Sequence, residues 1–175
     1  IVNLQDYPRL ATYYEECREQ LQRRHVARRR PQHWYRTIDR VTHALTTKAK
    51  LYFPDIKDRI HPVLDTGQTY PHHNLYFIQS ERWDMEVLGG LLLSDVGQFF
   101  ECYGVRMRGG WLRFQAQYLR RIRVPRPEDL SVEQASGFAD AFRRRDRNAA
   151  TRIALDVYRL DRLPMGDAGN DAGHS

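Results

Sequence analysis

Apolar residues recur with the spacing of a helix over the first 24 residues of the chain. The stripe consists of Leu10, Tyr14, Cys17 and Leu21, at intervals of four, three and four residues. That spacing places the side chains on one face of a helix. Asp6 suits the N-cap position, and Pro8 is compatible with the first turn. The pattern predicts one helix from Asp6 to about Arg24, which runs into a basic segment that Pro31 ends.

The periodicity changes near residue 50, where short segments rich in aromatic and β-branched residues begin. These segments are residues 50–56, 59–64 and 70–78. Pro54, Pro62 and an Asp-Thr-Gly turn at residues 65–67 separate them. Such runs between turn signals predict the strands of a mainly antiparallel sheet.

A second long helical pattern follows the predicted strands. Its apolar positions are Val87, Leu88, Leu91, Leu92, Val96, Phe99 and Tyr103. We expect Ser80 to cap a helix over residues 83–103 that packs on the sheet as an apolar spine. Gly89, Gly90 and Gly97 lower helix stability, so close packing against a neighbouring element is the expected reason for them.

The segments after this helix are shorter. Residues 104–110 predict a loop, residues 112–121 a short helix, and residues 122–125 a terminal strand ending at Pro125. Ser131 and Gln134 have the spacing of a capping box for a helix that ends near Arg145. A further helix ends before Pro164, and the small, polar tail is expected to be disordered.

These elements predict an α+β fold, in which a small, mainly antiparallel sheet packs against an amphipathic helix between helical N- and C-terminal segments. A chain of 175 residues can bury a core as one domain. We assign residues 1–163 to that domain and residues 164–175 to the tail. Within the domain, residues 1–45 form a basic helical lead-in, residues 46–127 the sheet and helix core, and residues 128–163 the C-terminal helices.

Charge and composition narrow the class of protein. The net charge is +6, which favours an acidic partner. Cys17 and Cys102 lie in apolar segments, as expected of core residues in a reducing compartment. The apolar run at residues 87–93 is too short to span a bilayer, and no export pattern opens the chain. We expect a cytoplasmic protein without a membrane partner, and the missing initiator Met indicates a piece of a longer chain.

The most informative segment is residues 106–126, in which every charged residue is an arginine. Glycine permits close backbone approach to a partner, and aromatic residues offer stacking surface. The arginine fork matches phosphate and the guanine edge. This mixture favours nucleic-acid binding. The alternative is a solvated basic helix after a Gly-Gly turn.

Motifs of enzymes are scarce in the chain. It contains no G-x-G, no G-K-[ST], no G-x-S-x-G and no pair of adjacent prolines. The first two absences exclude the usual cofactor and phosphate turns. The last excludes the tetrapeptide with which adenine methyltransferases hold a flipped base. The sequence therefore predicts no S-adenosylmethionine site and no methyl transfer by this chain alone.

Three weaker features carry alternatives. Asp55 and Lys57 form an acid-x-lysine pair after an apolar strand, and with Asp39 upstream they could make a small metal-dependent nuclease site. The competing interpretation is that Pro54 ends a strand and leaves the pair exposed at a turn.

The adjacent histidines at 72 and 73 point to opposite strand faces, so hydrogen bonding is expected of them rather than metal binding. The aromatic pair at 34 and 35 is expected in the core.

Four segments in this order resemble a known family. They are residues 34–40 (WYRTIDR), 50–56 (KLYFPDI), 73–78 (HNLYFI) and 108–125, from Arg-Gly-Gly to Val-Pro. Together they resemble the C-terminal specificity domain of TaqI-like adenine DNA methyltransferases, which include fused restriction–modification enzymes and phage-defence methylases. The resemblance covers about residues 1–130. Its last part is also similar to the end of target-recognition domains in type I specificity subunits.

The resemblance implies a division of labour. In that family a preceding catalytic domain binds S-adenosylmethionine and carries the Asn-Pro-Pro-Tyr motif, while the C-terminal domain clamps the duplex and reads its sequence. This chain would then bind double-stranded DNA, contact the preceding catalytic domain and hold no cofactor itself. Its parent would be a site-specific adenine-N6 methyltransferase of bacteria, with or without a fused endonuclease.

Candidate DNA-binding residues follow from the basic segment, the histidine pair and the resemblance. They are Arg36, His72, His73, Asn74, Arg106, Arg108, Gly109, Gly110, Trp111, Arg113, Gln115 and Gln117. Two other functions stay open from the sequence. One is the nuclease site at Asp55 and Lys57, and the other is an interaction module that docks an acidic protein face or the missing catalytic domain.

Overall fold

The computed structural model describes residues 2–37, 42–72, 74–101, 105–106, 111–114 and 116–163, with the side chains of residues 99–101, 105, 106 and 118 left undescribed. The chain divides into two compact units, Ile1–Thr42 and His43–Ser175. The predicted tail lies outside the described residues.

Three short helices make up most of the first unit. They are α1 (Pro8–Glu16), α2 (Arg18–Gln22) and α3 (His25–Arg29), with 3-10 turns at Leu4–Asp6 and Pro31–His33. The prediction of one continuous helix is therefore wrong. Every residue of α1 and α2 is at least partly exposed, so little packing supports an unbroken helix. The N-cap is Tyr7 rather than Asp6, because Asp6 belongs to the preceding 3-10 turn.

Aromatic rings hold the first unit together. The ring of Tyr14 lies 6.4 Å from that of Trp34 and 6.1 Å from that of Tyr35, between ring centroids. The Arg18 guanidinium lies 5.1 Å from the Trp34 ring centroid. Arg24 donates hydrogen bonds to the carbonyl oxygens of Trp34 and Arg36. Trp34 is buried and Tyr35 half-buried, which confirms the expected core role of this pair.

Two small antiparallel sheets form the β part of the second unit. The first has β1 (Lys50–Pro54) at its centre, between β3 (Val63–Asp65) and β4 (Leu75–Ile78). The second places β6 (Leu112–Arg113) between β2 (Ile56–Lys57) and β5 (Val105–Arg106). The strands are shorter than the sequence predicts, but the antiparallel α+β fold is confirmed.

Six helices of this unit fall within the described residues. They are α4 (Ala44–Thr47), α5 (Met85–Leu93), α6 (Asp95–Glu101), α7 (Ala116–Leu119), α8 (Val132–Arg144) and α9 (Arg147–Val157). The capping box of Ser131 and Gln134 at the start of α8 is confirmed. Within the described ranges, no helix combines the length and the apolar character needed to cross a membrane.

The core lies around α5, which is buried on almost all sides. Leu51 and Phe53 of β1 pack in the same cluster as Phe138 and Phe142 of α8. A Cβ on Gly90 would lie 2.1 Å from the Phe138 carbonyl oxygen. The glycines of α5 therefore serve close helix packing, as the sequence predicts. The spine packs on α8 as well as on the sheet.

The outer face of β1 carries a buried ion pair. The Lys50 side chain is fully buried, and its ammonium lies 2.5 Å from Oδ2 of Asp65 on β3. It also donates a hydrogen bond to the carbonyl oxygen of Lys48. The Lys50 contact, with further hydrogen bonds from Gln68, Thr69 and Gly67, holds the pKa of Asp65 well below its usual range against the opposing effect of burial. The pair is a structural element of the sheet.

Predicted helix boundaries in this unit need correction. Ser80 accepts hydrogen bonds from the backbone of a local turn, whereas Asp84 caps α5 by accepting from Glu86 and Val87. The predicted helix over residues 83–103 is also two helices. Ser94 separates them, because its hydroxyl donates to the Leu91 carbonyl and accepts from the Gly97 amide.

The segment after residue 104 differs most from the prediction. Residues 105–106 form β5 within the predicted loop. Residues 112–113 form β6, and among the described residues of the predicted helix, residues 116–119 alone are helical, as α7. Residues 122–125, predicted as a strand, have no regular secondary structure. Pairing of β6 with β2 and β5 outweighs the local helical pattern, since it places Leu112 in the core.

Candidate nucleic-acid interface

Asp55 lies at the corner where β1 ends and β2 begins. Its backbone amide donates a hydrogen bond to the Asn74 carbonyl oxygen at 3.0 Å. Its carbonyl oxygen accepts one from the Phe114 amide at 2.8 Å. One residue therefore fastens the turn before β4 and the end of β6 to the same corner, which we call the Asp55 corner.

A turn on one side of the corner contains His72 and Asn74. The Leu75 amide donates to the His72 carbonyl oxygen at 2.9 Å, which closes the turn. The Asn74 amide lies 3.5 Å from Nδ1 of His72. Both His72 and Asn74 are exposed, so their side chains are accessible to a partner. His73 lies outside the described residues.

The hairpin of β5 and β6 lies on the other side of the corner. Its register pairs Val105 with Arg113 and Arg106 with Leu112. The Arg-Gly-Gly sequence at residues 108–110 and Gln115 lie outside the described residues. Trp111, directly before β6, is 46% exposed. Leu112 and Phe114 are buried and anchor the hairpin to the core.

Arg113 and Asp55 form an ion pair across the corner. Nε of Arg113 lies 3.5 Å from Oδ1 of Asp55, and the two side chains are 40% and 25% exposed. The guanidinium is thus accessible to solvent while one edge faces a carboxylate. The backbone contacts of Asp55 fix the position of that carboxylate.

A basic surface continues from β2. Burial, followed by the positive charges of Arg145, Lys57 and Arg147, lowers the pKa of His61 below its usual value, although Asp58 acts in the opposite direction. The Arg145 side chain donates to the Pro62 carbonyl oxygen, and Arg147 donates to that of Ile60. Both arginines thus hold the His61 loop in place.

The structure brings two of the candidate residues to the Asp55 corner, Asn74 through its backbone and Arg113 through its side chain. His72 lies in the turn with Asn74, and Trp111 directly precedes β6. Arg106 lies on β5, opposite Leu112 of β6. Gln117 is exposed on α7. Arg36 belongs to the first unit, where its carbonyl accepts from Arg24. Contact of these residues with DNA stays a prediction.

The structure gives the two members of the acid-x-lysine pair, Asp55 and Lys57, different surroundings. The Asp55 carboxylate faces the guanidinium of Arg113, and Lys57 is exposed on β2. Asp39 lies outside the described residues. In the described part of the chain, no three carboxylate, histidine or cysteine side chains are placed to hold a metal ion. Sequence reasoning missed Asp55 as the corner residue. The available signal was an acid directly after the proline that ends a buried strand.

The chain is similar to type II methyltransferases of bacteria. It is 45% identical to M.PaeR7I of Pseudomonas aeruginosa over 97% of its length, and 45% identical to M.XhoI of Xanthomonas vasicola over 92%. It is 40% identical to M.BstVI of Geobacillus stearothermophilus over 94%.

Each alignment covers only part of the relative. The chain spans about 30% of the length of each of these methyltransferases. No protein-family profile matches it. The chain is therefore related, along nearly its whole length, to a minor part of type II methyltransferases.

Proposed function

We propose that this chain recognises duplex DNA as the target-recognition part of a site-specific DNA methyltransferase. The observation that carries the proposal is the Asp55 corner. Through its backbone, Asp55 joins the exposed segment of His72 and Asn74 to the paired strands β5 and β6, which precede and follow the Arg-Gly-Gly sequence in the chain. Two segments with hydrogen-bonding side chains, held by the backbone of one residue, form a surface of the kind that reads a DNA groove.

The chemistry of the corner suits DNA. Arg113 can bind phosphate or the guanine edge, and Asn74 can bind the adenine edge with its amide. Trp111 offers an exposed ring for stacking or insertion. The net charge of +6 attracts the polyanion at long range.

The relatives support the methyltransferase context. Their names describe type II methyltransferases, and the chain corresponds to about 30% of each. We propose that the remaining part of the parent binds S-adenosylmethionine and transfers the methyl group to adenine. This chain would contact that catalytic part and hold no cofactor itself.

Fluorescence anisotropy with a labelled duplex of mixed sequence tests this function. We expect weak binding whose affinity falls between about 50 and 200 mM salt, with a log–log slope of about 0.9 per phosphate contact. Replacing Arg106, Arg108 and Arg113 with alanine should weaken binding at all sequences if they touch phosphate, or at one base position if they read an edge.

The matched control removes three exposed arginines from α8, α9 and the residues after α9. The control variant carries alanine at Arg144, Arg152 and Arg162, which gives the same loss of charge. A comparable loss of affinity in both variants would show that only net charge matters, and equal affinity of the hairpin variant and the wild type would remove the proposal. Magnesium-dependent cleavage of a plasmid that is lost in Asp55→Asn would favour the nuclease instead.

A further inference from the structure

Asp55 is an acidic residue at the centre of a surface that we propose to bind a polyanion. Its carboxylate is 25% exposed, and nothing in its backbone role requires an acid, because both of its backbone hydrogen bonds use main-chain atoms. A carboxylate near phosphates repels them and lowers affinity for every DNA sequence. The position of this carboxylate next to Arg113 indicates a role other than binding phosphate.

The geometry of the pair leaves the fork of Arg113 open. The contact to Asp55 is made by Nε, at 3.5 Å from Oδ1. Within the described residues, the Arg113 guanidinium contacts Asp55 through Nε and not through its two terminal nitrogens. Those two nitrogens are the donors that bind O6 and N7 of guanine together.

Both partners are held on a rigid base. Arg113 lies on the central strand of its sheet, opposite Ile56 on one side and Val105 on the other. Leu112 and Phe114, which flank it, are buried in the core. Arginine loses much rotamer entropy when it is ordered, so a carboxylate that restrains it beforehand reduces the loss on binding.

We infer that Asp55 is a positioning residue for specificity: its carboxylate holds the Arg113 guanidinium so that the terminal nitrogens read a guanine edge. This inference rests on the proposed function and adds a role to each partner. Arg113 reads a base instead of a phosphate. Asp55 lowers affinity for DNA in general and raises discrimination at one G·C base pair.

Selection from a randomised duplex library tests the assignment. The 175-residue chain is incubated with the library, and the retained DNA is sequenced to give the preference at each base pair. We expect Asp55→Asn to bind the library more tightly than the wild type, because a negative charge is removed. We also expect it to lose roughly tenfold or more of the discrimination at one G·C pair.

Asp58→Asn is the matched control. Asp58 is an exposed acid three residues after Asp55 in the sequence. Its substitution by asparagine removes the same charge near the same surface. It should raise general affinity while every base preference stays unchanged. A merely electrostatic effect of Asp55 would make the two variants alike, and that result would overturn the inference.

Arg113→Lys keeps the test decisive if Asp55→Asn folds poorly by circular dichroism. Lysine retains the charge but lacks the fork, so affinity for the library should stay within about twofold while the same G·C preference is lost. Loss of general affinity with the preference intact would place Arg113 on phosphate and overturn the inference.

The outcomes separate the inference from the function on which it rests. If the wild type selects a motif and Asp55→Asn selects it equally strongly, the inference fails and the proposed function stands. If the wild type retains no DNA at low salt, the proposed function fails, and the inference fails with it.

Discussion

Replacement of Gly90 by alanine tests the packing at the centre of the second unit. A Cβ at this position would lie 2.1 Å from the carbonyl oxygen of Phe138 and 2.7 Å from its carbonyl carbon. Both atoms belong to the backbone of α8 and cannot rotate away. The two helices would have to separate by about 1 Å, which disturbs a close-packed core.

The expected loss of stability follows from two opposing effects. Alanine favours a helix over glycine by about 1 kcal/mol. Overpacking of a core costs about 1–3 kcal/mol, and contact with a rigid backbone belongs at the upper end. We therefore expect Gly90→Ala to lower the free energy of unfolding by about 2 kcal/mol. For a chain of this size the melting temperature should fall by about 4–8 °C.

Thermal and urea unfolding followed by circular dichroism measure this effect. Gly137→Ala in α8 is the matched control, because its Cβ would meet only the Cδ1 end of the Ile153 side chain, at 2.8 Å. That side chain can rotate, so the control should be unchanged or up to about 1 kcal/mol more stable. A Gly90→Ala variant as stable as the wild type would refute the packing described around α5.

Three further predictions concern charged residues and the glycines at positions 109 and 110. Lys50→Met leaves the buried Asp65 carboxylate without its cation and should cost about 3–5 kcal/mol in urea unfolding; a loss below about 1 kcal/mol would contradict the ion pair as described. The lowered pKa of His61 means that the unfolded chain binds the proton more tightly, so the stability from this group is present above about pH 6.5 and is lost as the pH falls. His61→Gln should therefore weaken the decline of unfolding free energy on acidification, and an unchanged pH dependence would count against it. Valine at Gly109 or Gly110 should reduce DNA affinity more than melting temperature; a large melting shift with unchanged affinity would indicate an ordinary packed turn.

Local signals in the sequence predicted the parts of the fold that depend on local chemistry. Ser131 and Gln134 form the expected capping box because both hydrogen bonds lie within one turn. The apolar run that became α5 and its paired glycines also predicted a buried, closely packed helix. Ser94 was missed as a helix break because its hydroxyl bonds, which end α5 and begin α6, do not alter the apolar periodicity.

Non-local contacts explain the remaining differences. Residues 112–113 form a strand because β2 and β5 pair with them. β2 lies far earlier in the chain, so this pairing is not visible in the local sequence pattern. The same pairing makes Asp55 the link between the two halves of the candidate site. Composition identified the arginine-rich segment, but it could not show that Arg113 faces a carboxylate 58 residues earlier in the chain.

Hydrogen–deuterium exchange with and without duplex DNA tests the central claim most directly. The proposed interface predicts slower amide exchange in peptides that cover residues 70–76 and 105–114 when DNA is added. Exchange in α8 should stay unchanged, since this helix packs on α5 within the core. Slower exchange confined to the helices, or none at the Asp55 corner under conditions where anisotropy reports bound DNA, would contradict the account.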